Sequence, residues 1–184
     1  MADALGLDLP ALVPAPRLIV ANLPYNVATP LLIAWLRDIT AFERLVLMFQ
    51  REVAERLTAP PGTSAYGRLS VLAQWLAEPR LLFALPPGAF VPPPEVHSAL
   101  VHLAPRPAPP PDLVPVMERI TRLAFGQRRK MLRAALRAEG GEALLRAAGI
   151  APERRAETLS VAEFEALARC LARGEGAGGP RAAP

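Results

Sequence analysis

The sequence predicts an α/β domain followed by a small all-helical domain, on three observations. Up to about residue 104, short β-branched runs alternate with segments of helical period, the rhythm of a sheet that contains parallel strands. From 104 to 111 the chain reads Ala-Pro-Arg-Pro-Ala-Pro-Pro-Pro, which continues neither kind of element. Beyond 112 only helical periodicity remains. The expected organisation is therefore a sheet domain over 1–104, a linker over 105–111, a helical domain over 112–173 and a disordered tail over 174–184, which holds nothing to bury.

Each element has a local cause. Residues 17–22, RLIVAN, form a β-branched run stopped by the turn-forming Asn-Leu-Pro-Tyr-Asn. Thr29 and Pro30 make an N-cap and first-turn pair that predicts a helix from there to about Asp38. ERLVLMFQ (43–50) reads as a buried strand and REVAERLTA (51–59) as the helix after it. A loop, APPGTSAYG, leads to a helix over 67–78. Two strands follow at 80–86 and 96–103, antiparallel because the Pro-rich stretch between them offers no crossover helix. Helices are predicted at 112–126, 128–138, 141–148 and 160–173. Phe42, Phe49, Trp35, Trp75 and Phe83 sit in apolar patterns and are expected in the core.

Composition narrows the function classes. The chain is 52% hydrophobic, enough for a packed core, so wholesale disorder is excluded. Its 22 prolines among 184 residues are more than twice the ordinary share of about 5%, and they cluster at 86–94 and 105–115 as punctuation. Lys130 is the single lysine among 21 basic residues, and the net charge of +4 suits a polyanionic partner. One cysteine, Cys170, permits no intrachain disulfide and fits a reducing cytoplasm. The uncharged run Leu18 to Leu36 has the length of a membrane span but contains Asn22, Pro24, Asn26, Thr29 and Pro30, so no membrane partner is expected. Two histidines and one cysteine make no standard zinc site, and no metal is expected. A doubly wound nucleotide-binding sheet opens with a strand and a Gly-rich turn, whereas the first sixty residues hold one glycine, Gly6. Such a fold would here be incomplete at its N-terminus.

The sharpest local signal is Asn22-Leu23-Pro24-Tyr25 at the C-terminal end of a predicted parallel strand, the rim where open α/β sheets bind ligands. Methyl transfer to an exocyclic base amine is slow because its lone pair is delocalised into the ring. Asn22 Oδ1 and a main-chain carbonyl held ahead of Pro24 are acceptors for the two amine protons, and Tyr25 offers a ring for stacking, worth about 1–3 kcal/mol per base. Taken alone, the four residues are better read as a tight turn with a half-buried tyrosine.

They do not stand alone. VANLPYNVATPLL, FQREVAERLTAPPGTSAYGRLSVLAQ, PPGAFVPPPEVHSALVHL and AFGQRRKMLRAAL, in that order and spacing, resemble the ribosomal RNA adenine N6-dimethyltransferase family over about residues 2–172. The resemblance implies a Rossmann-like S-adenosylmethionine-dependent methyltransferase domain followed by a small helical domain. It implies N6-dimethylation of two adjacent adenosines near the 3′ end of small-subunit rRNA, within a pre-ribosomal particle, by a monomer. Asn22 and the Leu23 carbonyl would hold the target amine, Pro24 would fix the loop, and Tyr25 and Phe90 would cover the two faces of the flipped adenine. Asp3 and Ala4, with Asn22, would contact the cofactor. The macrolide-resistance methyltransferases of large-subunit rRNA share this chemistry and are the alternative, as is a non-catalytic RNA-binding fragment.

This sequence departs from the family in three ways. It begins at the family's third motif, so the Gly-rich cofactor loop has no counterpart, and the expectation is a chain inactive alone: a fragment, a misplaced start or a damaged gene. Glu95 and His97 stand where the family usually has Lys and Asp, and Ala21 replaces a common glycine.

From Arg119 to Ala138 there are seven basic residues and no acidic one. Arg122, Arg129, Arg133 and Arg137 share one face if a single helix carries them, and with Arg128 and Lys130 they are the expected RNA contacts; a solvated helix face is the bland reading. Tyr66, Gly67, Gln50 and Glu52 match the family but are expected to support the fold, and Cys170 to be an inert buried thiol.

Overall fold

Alternation of apolar residues along four strands determines one face of a mixed sheet. The computed structural model describes residues 6–174. In chain order these form α1 (Leu9–Leu12), β1 (Leu18–Asn22), α2 (Tyr25–Arg37), β2 (Arg44–Gln50), α3 (Arg51–Thr58), α4 (Arg68–Leu76), β3 (Ala77–Leu85), β4 (Ser98–Pro105), α5 (Leu113–Gly126), α6 (Leu132–Ala135), α7 (Gly141–Ala147) and α8 (Val161–Ala172). The sheet order is β1-β2-β4-β3. β1 and β2 are parallel, and β4 runs antiparallel to both β2 and β3.

Register places Leu45 opposite Leu103, Leu47 opposite Val101 and Phe49 opposite Ala99, and all six are essentially inaccessible. Cross-strand partners share a face, so this row is the core side of the sheet. Leu31, Leu32 and Leu36 of α2 and Ala54 and Leu57 of α3 are buried with it. The opposite face carries Val20, Val46 and His102 in one row and Asn22, Met48, Leu100 and Phe83 in the next. It is far more open: Val20, on the edge strand, is 76% exposed.

Tertiary contacts divide the chain into two compact units. One takes the chain through Ala59 and again from Ala73 to Ala108, and holds the sheet. The other takes Pro60–Leu72 and the chain from Pro109 onward. The loop over 60–66 thus packs with the helical unit, whereas the sequence pattern assigns it to the sheet. In the helical unit α5 buries Leu113, Met117, Ile120 and Ala124, and α8 buries Phe164, Leu167, Ala168 and Cys170. Tyr66 presents its ring edge-on to Phe125 at 6.0 Å between centroids, and Phe125 lies 5.6 Å from Phe164. Ser160 and Glu163 close a reciprocal cap at the start of α8, with Arg154 paired to Glu163.

Several expectations need correction. The α2 helix begins at Tyr25, not at Thr29: the N–H groups of Val27 and Ala28 both donate to the Pro24 carbonyl at 3.1 Å. Pro30 lies inside that helix, where the acceptor it leaves unpaired belongs to exposed Asn26. The helix expected over 128–138 is broken into α6 and a 3-10 turn at Arg137–Glu139. Its first amides, Leu132 and Arg133, donate instead to the carbonyls of Arg154 and Pro152, at 2.7 and 3.1 Å. Phe83 is 51% exposed, not core, because a bulge between Leu81 and Phe83 turns it onto the open face of the edge strand β3. β4 runs on through Pro105, and the Arg106 N–H donates to the Leu76 carbonyl at 3.0 Å, so the linker starts later than composition suggests. The tail from 175 lies outside the described residues, as do Asp3 and Ala4.

Candidate functional site

β1 is a short strand that ends on a polar residue. Asn22 is its last residue, lies beside Met48 of β2 on the open face of the sheet, and is exposed. Leu23 and Pro24 turn the chain, and Pro24, with its restricted φ of −56°, caps α2 so that Tyr25 is the first helical residue. Motif residues and helix start are therefore one device: the turn that ends the strand aims the tyrosine.

The second half of the site comes from far along the chain. After β3, a 3-10 turn over Pro87–Ala89 closes with the Phe90 N–H donating to the Pro87 carbonyl at 3.2 Å. Phe90, half-buried, then Pro92 and Pro94 meet Asn22, Leu23, Pro24, Tyr25 and Met48 around a cleft of about 320 Å³. That volume lies at the small end of the usual range for small-molecule sites, about 300–1,000 Å³. The walls are ring and proline surfaces, the polar groups are those of Asn22, Tyr25 and the main chain, and among the described residues no charged side chain lines the cleft. A neutral planar ring with an amine at its edge suits such a lining.

The five residues expected to handle the base, Asn22, Leu23, Pro24, Tyr25 and Phe90, thus line one cleft. The sequence reading missed Met48, Pro92, Pro94 and, behind the cleft, Ser98, whose Oγ lies 2.6 Å from the Tyr25 hydroxyl. A serine opening a largely apolar strand was the available signal. A neighbouring depression of about 350 Å³ takes in Glu95 and His97, and the Arg51–Glu55 ion pair at 2.7 Å, but, among the described residues, no Phe, Tyr or Trp ring. Two of the three residues at which this sequence departs from the family pattern, Glu95 and His97, therefore face this second depression, and the third, Ala21, does not line it. Among the described residues no cluster of His, Cys, Asp or Glu is arranged to hold a metal ion, and no helix is long and apolar enough to cross a membrane.

The basic candidates are all exposed but do not share a helical face. Arg122 is on α5, Arg128, Arg129 and Lys130 lie in the turn after it, Arg133 is on α6 and Arg137 opens the 3-10 turn. Their employment differs. Arg128 donates to the Ser64 carbonyl at 2.7 Å and the Thr63 carbonyl at 3.3 Å, and Arg133 lies 3.6 Å from Glu153. The side chains of Arg122, Arg129, Lys130 and Arg137 make no hydrogen bond or ion pair among the described residues. Of the residues expected to support the fold, Tyr66 and Gly67 have structural roles in the helical unit. Tyr66 is fully buried, the Gly67 N–H donates to Ser70 Oγ at 3.0 Å, and Glu52 pairs with Arg56 in the first turn of α3. Burial, and to a lesser degree the Glu163 charge, pushes the Tyr66 hydroxyl up to about 12. Its oxygen has no hydrogen-bond partner among the described residues. Cys170 is buried on α8.

Comparison with known proteins gives these features a family. A sequence model described as Ribosomal RNA adenine dimethylase matches residues 2–173. The chain is 61% identical over 167 residues to Ribosomal RNA small subunit methyltransferase A of Gluconobacter oxydans (strain 621H), covering 90% of this chain and 55% of that protein. It is 60% identical over 171 residues to the protein of the same name from Rhodospirillum rubrum, covering 92% and 59%. The chain thus spans a little more than half the length of these relatives. Among solved structures, a dimethyladenosine transferase from Plasmodium falciparum superposes with a TM-score of 0.76 at 24% identity, covering 90% of this chain and 69% of that one. The 23S rRNA methyltransferase ErmE gives 0.66 at 24% identity, covering 92% and 70%. These two likenesses show the fold: a Rossmann-like sheet with a helical unit.

Proposed function

Because this chain belongs to the ribosomal RNA adenine dimethylase family, we propose that its cleft receives the target adenine in S-adenosylmethionine-dependent N6-dimethylation of two adjacent adenosines near the 3′ end of small-subunit rRNA. The observation that carries this is the meeting of Asn22-Leu23-Pro24-Tyr25 with Phe90 around one cleft. The identities to small-subunit methyltransferases support small-subunit rather than large-subunit rRNA as substrate.

The chemistry assigns each group a task. Asn22 Oδ1 and the Leu23 carbonyl accept the two amine protons and favour a tetrahedral nitrogen, whose lone pair is then free to attack. Tyr25 and Phe90 hold the ring by stacking, which repays part of the cost of taking the base out of its helix. S-adenosylmethionine, when bound, supplies an electrophilic methyl group on a sulfonium. Asn22, exposed at the end of β1 and in the cleft, has an amide suited to contact both that group and the target amine. Pro24 keeps the two acceptors fixed, so they need not reorganise as charge develops. No general base is required, since the proton leaves after the methyl has arrived.

We place RNA recognition on Arg122, Arg129, Lys130 and Arg137, with lesser parts for Arg128 and Arg133, in a cytoplasmic pre-ribosomal particle. Titration of the 184-residue chain with S-adenosylmethionine, then with a ribo-oligonucleotide bearing adjacent adenosines, tests this function. Saturable binding of both, with methyl incorporation that Tyr25→Ala and Phe90→Ala each depress at least tenfold (about 1.4 kcal/mol or more), is the expected result for a competent chain. Salt-sensitive RNA binding without cofactor binding leaves only the RNA-binding role. RNA binding that neither substitution weakens overturns the base-pocket assignment.

A further inference from the structure

Tyr25 is held from behind by a residue that does not line the cleft. Its hydroxyl lies 2.6 Å from Ser98 Oγ, and Ser98 is wholly buried at the first position of β4. There Ser98 stands opposite Gln50 of β2 and Leu85 of β3, so strands on both sides hold it. The carbonyl of the preceding residue, His97, accepts the Arg51 N–H at 2.9 Å and anchors the chain where it enters the strand. Among the described residues neither hydroxyl has another side-chain partner. Tyr25, by contrast, is half-buried at the first position of a helix, beside exposed Pro24 and Asn26.

We propose that Ser98 is a positioning residue for the base pocket: its hydroxyl fixes the Tyr25 ring as a wall against which adenine stacks. This rests on the assignment of the cleft to adenine. A stacking surface held in place before the base arrives loses no rotamer freedom on binding, so the bond is read out as affinity. It also accounts for a hydroxyl at a fully buried strand position, since buried polar groups require partners.

The chain has two tyrosines and two tryptophans, which makes the test direct. Ring-labelled tyrosine gives one NMR signal set from Tyr25 and one from buried Tyr66, and the indoles of Trp35 and Trp75 report on the sheet unit. The probe is adenosine 5′-monophosphate, with its affinity read from its own proton shifts. In wild type, the nucleotide shifts the Tyr25 ring signals. Ser98→Ala moves or broadens the Tyr25 signals in the free protein, leaves both indoles in place, and weakens the nucleotide about three- to tenfold, the range expected for one hydrogen bond. Tyr25→Phe, which keeps the ring and removes the hydroxyl, gives a similar loss, and the double variant loses no more than either single one. Wild-type affinity in Ser98→Ala, or additive losses in the double variant, overturns the positioning role while leaving the pocket assignment intact. A nucleotide that leaves the wild-type Tyr25 signals unmoved overturns the pocket assignment itself. If Ser98→Ala disturbs the indoles, Tyr25→Phe decides: a loss supports the role and wild-type affinity overturns it.

Discussion

The Arg128 guanidinium donates to the Ser64 carbonyl at 2.7 Å, joining two loops that are far apart in sequence and both belong to the helical unit. One member of the basic cluster is thereby committed to the fold, and the six candidates for RNA contact separate by what else they do. Arg128→Ala should lower helical-unit stability by about 1 kcal/mol, as for one hydrogen-bonded pair. Arg129→Ala and Lys130→Ala should leave the melting temperature unchanged. Each should instead reduce the slope of log affinity against log salt by about one unit for every phosphate that the side chain neutralises. Melting curves and RNA titrations over a range of salt separate the two behaviours.

Tyr66 should be dispensable as a phenol. Its ring packs against Phe125, but its hydroxyl is buried without a partner among the described residues, a state that costs roughly 1–3 kcal/mol. Tyr66→Phe should therefore be neutral or stabilising. The same substitution tests the alkaline limit. With the folded hydroxyl raised from 10.0 to about 12, the protonated form is favoured by folding, so its contribution is full below pH 10 and is lost as pH rises toward 12. Stability should fall over that window in wild type and less in the variant, as denaturant midpoints would show.

Glu163 governs the acid side of the same unit. The Arg154 hydrogen bond, followed by the bonds from Ser160, holds its carboxyl below the ordinary value of 4.5. A depressed folded value means the contribution is present above the ordinary value and is lost as pH falls through the lower, folded one. Glu163→Gln should lower stability at neutral pH and flatten the loss of stability below pH 4.5. The group is partly exposed, so the effect at neutral pH should be modest, about 1 kcal/mol or less. An unchanged acid profile would remove this pair from the account.

Local pattern carries much of this protein. Period-2 and period-3.6 alternation specifies each strand and most helices, because burial of one face is written into neighbouring residues. The end of β1 at Asn22 is legible too, since Leu-Pro cannot extend the strand. Which residues close the site around Tyr25 is not local. Phe90 reaches it only because β3 and the 3-10 turn return the chain to the same rim. Ser98 reaches its hydroxyl only because β4 inserts antiparallel between β2 and β3. Tertiary bonds also overrule propensity where the carbonyls of Arg154 and Pro152 take the amides of Leu132 and Arg133, which breaks the helix and scatters the basic residues over separate elements. Runs of adjacent residues therefore suffice for the elements and for the chemical repertoire of the cleft. Which of those groups meet is settled in three dimensions, because hydrogen-bond partners and strand neighbours depend on distances that no such run encodes.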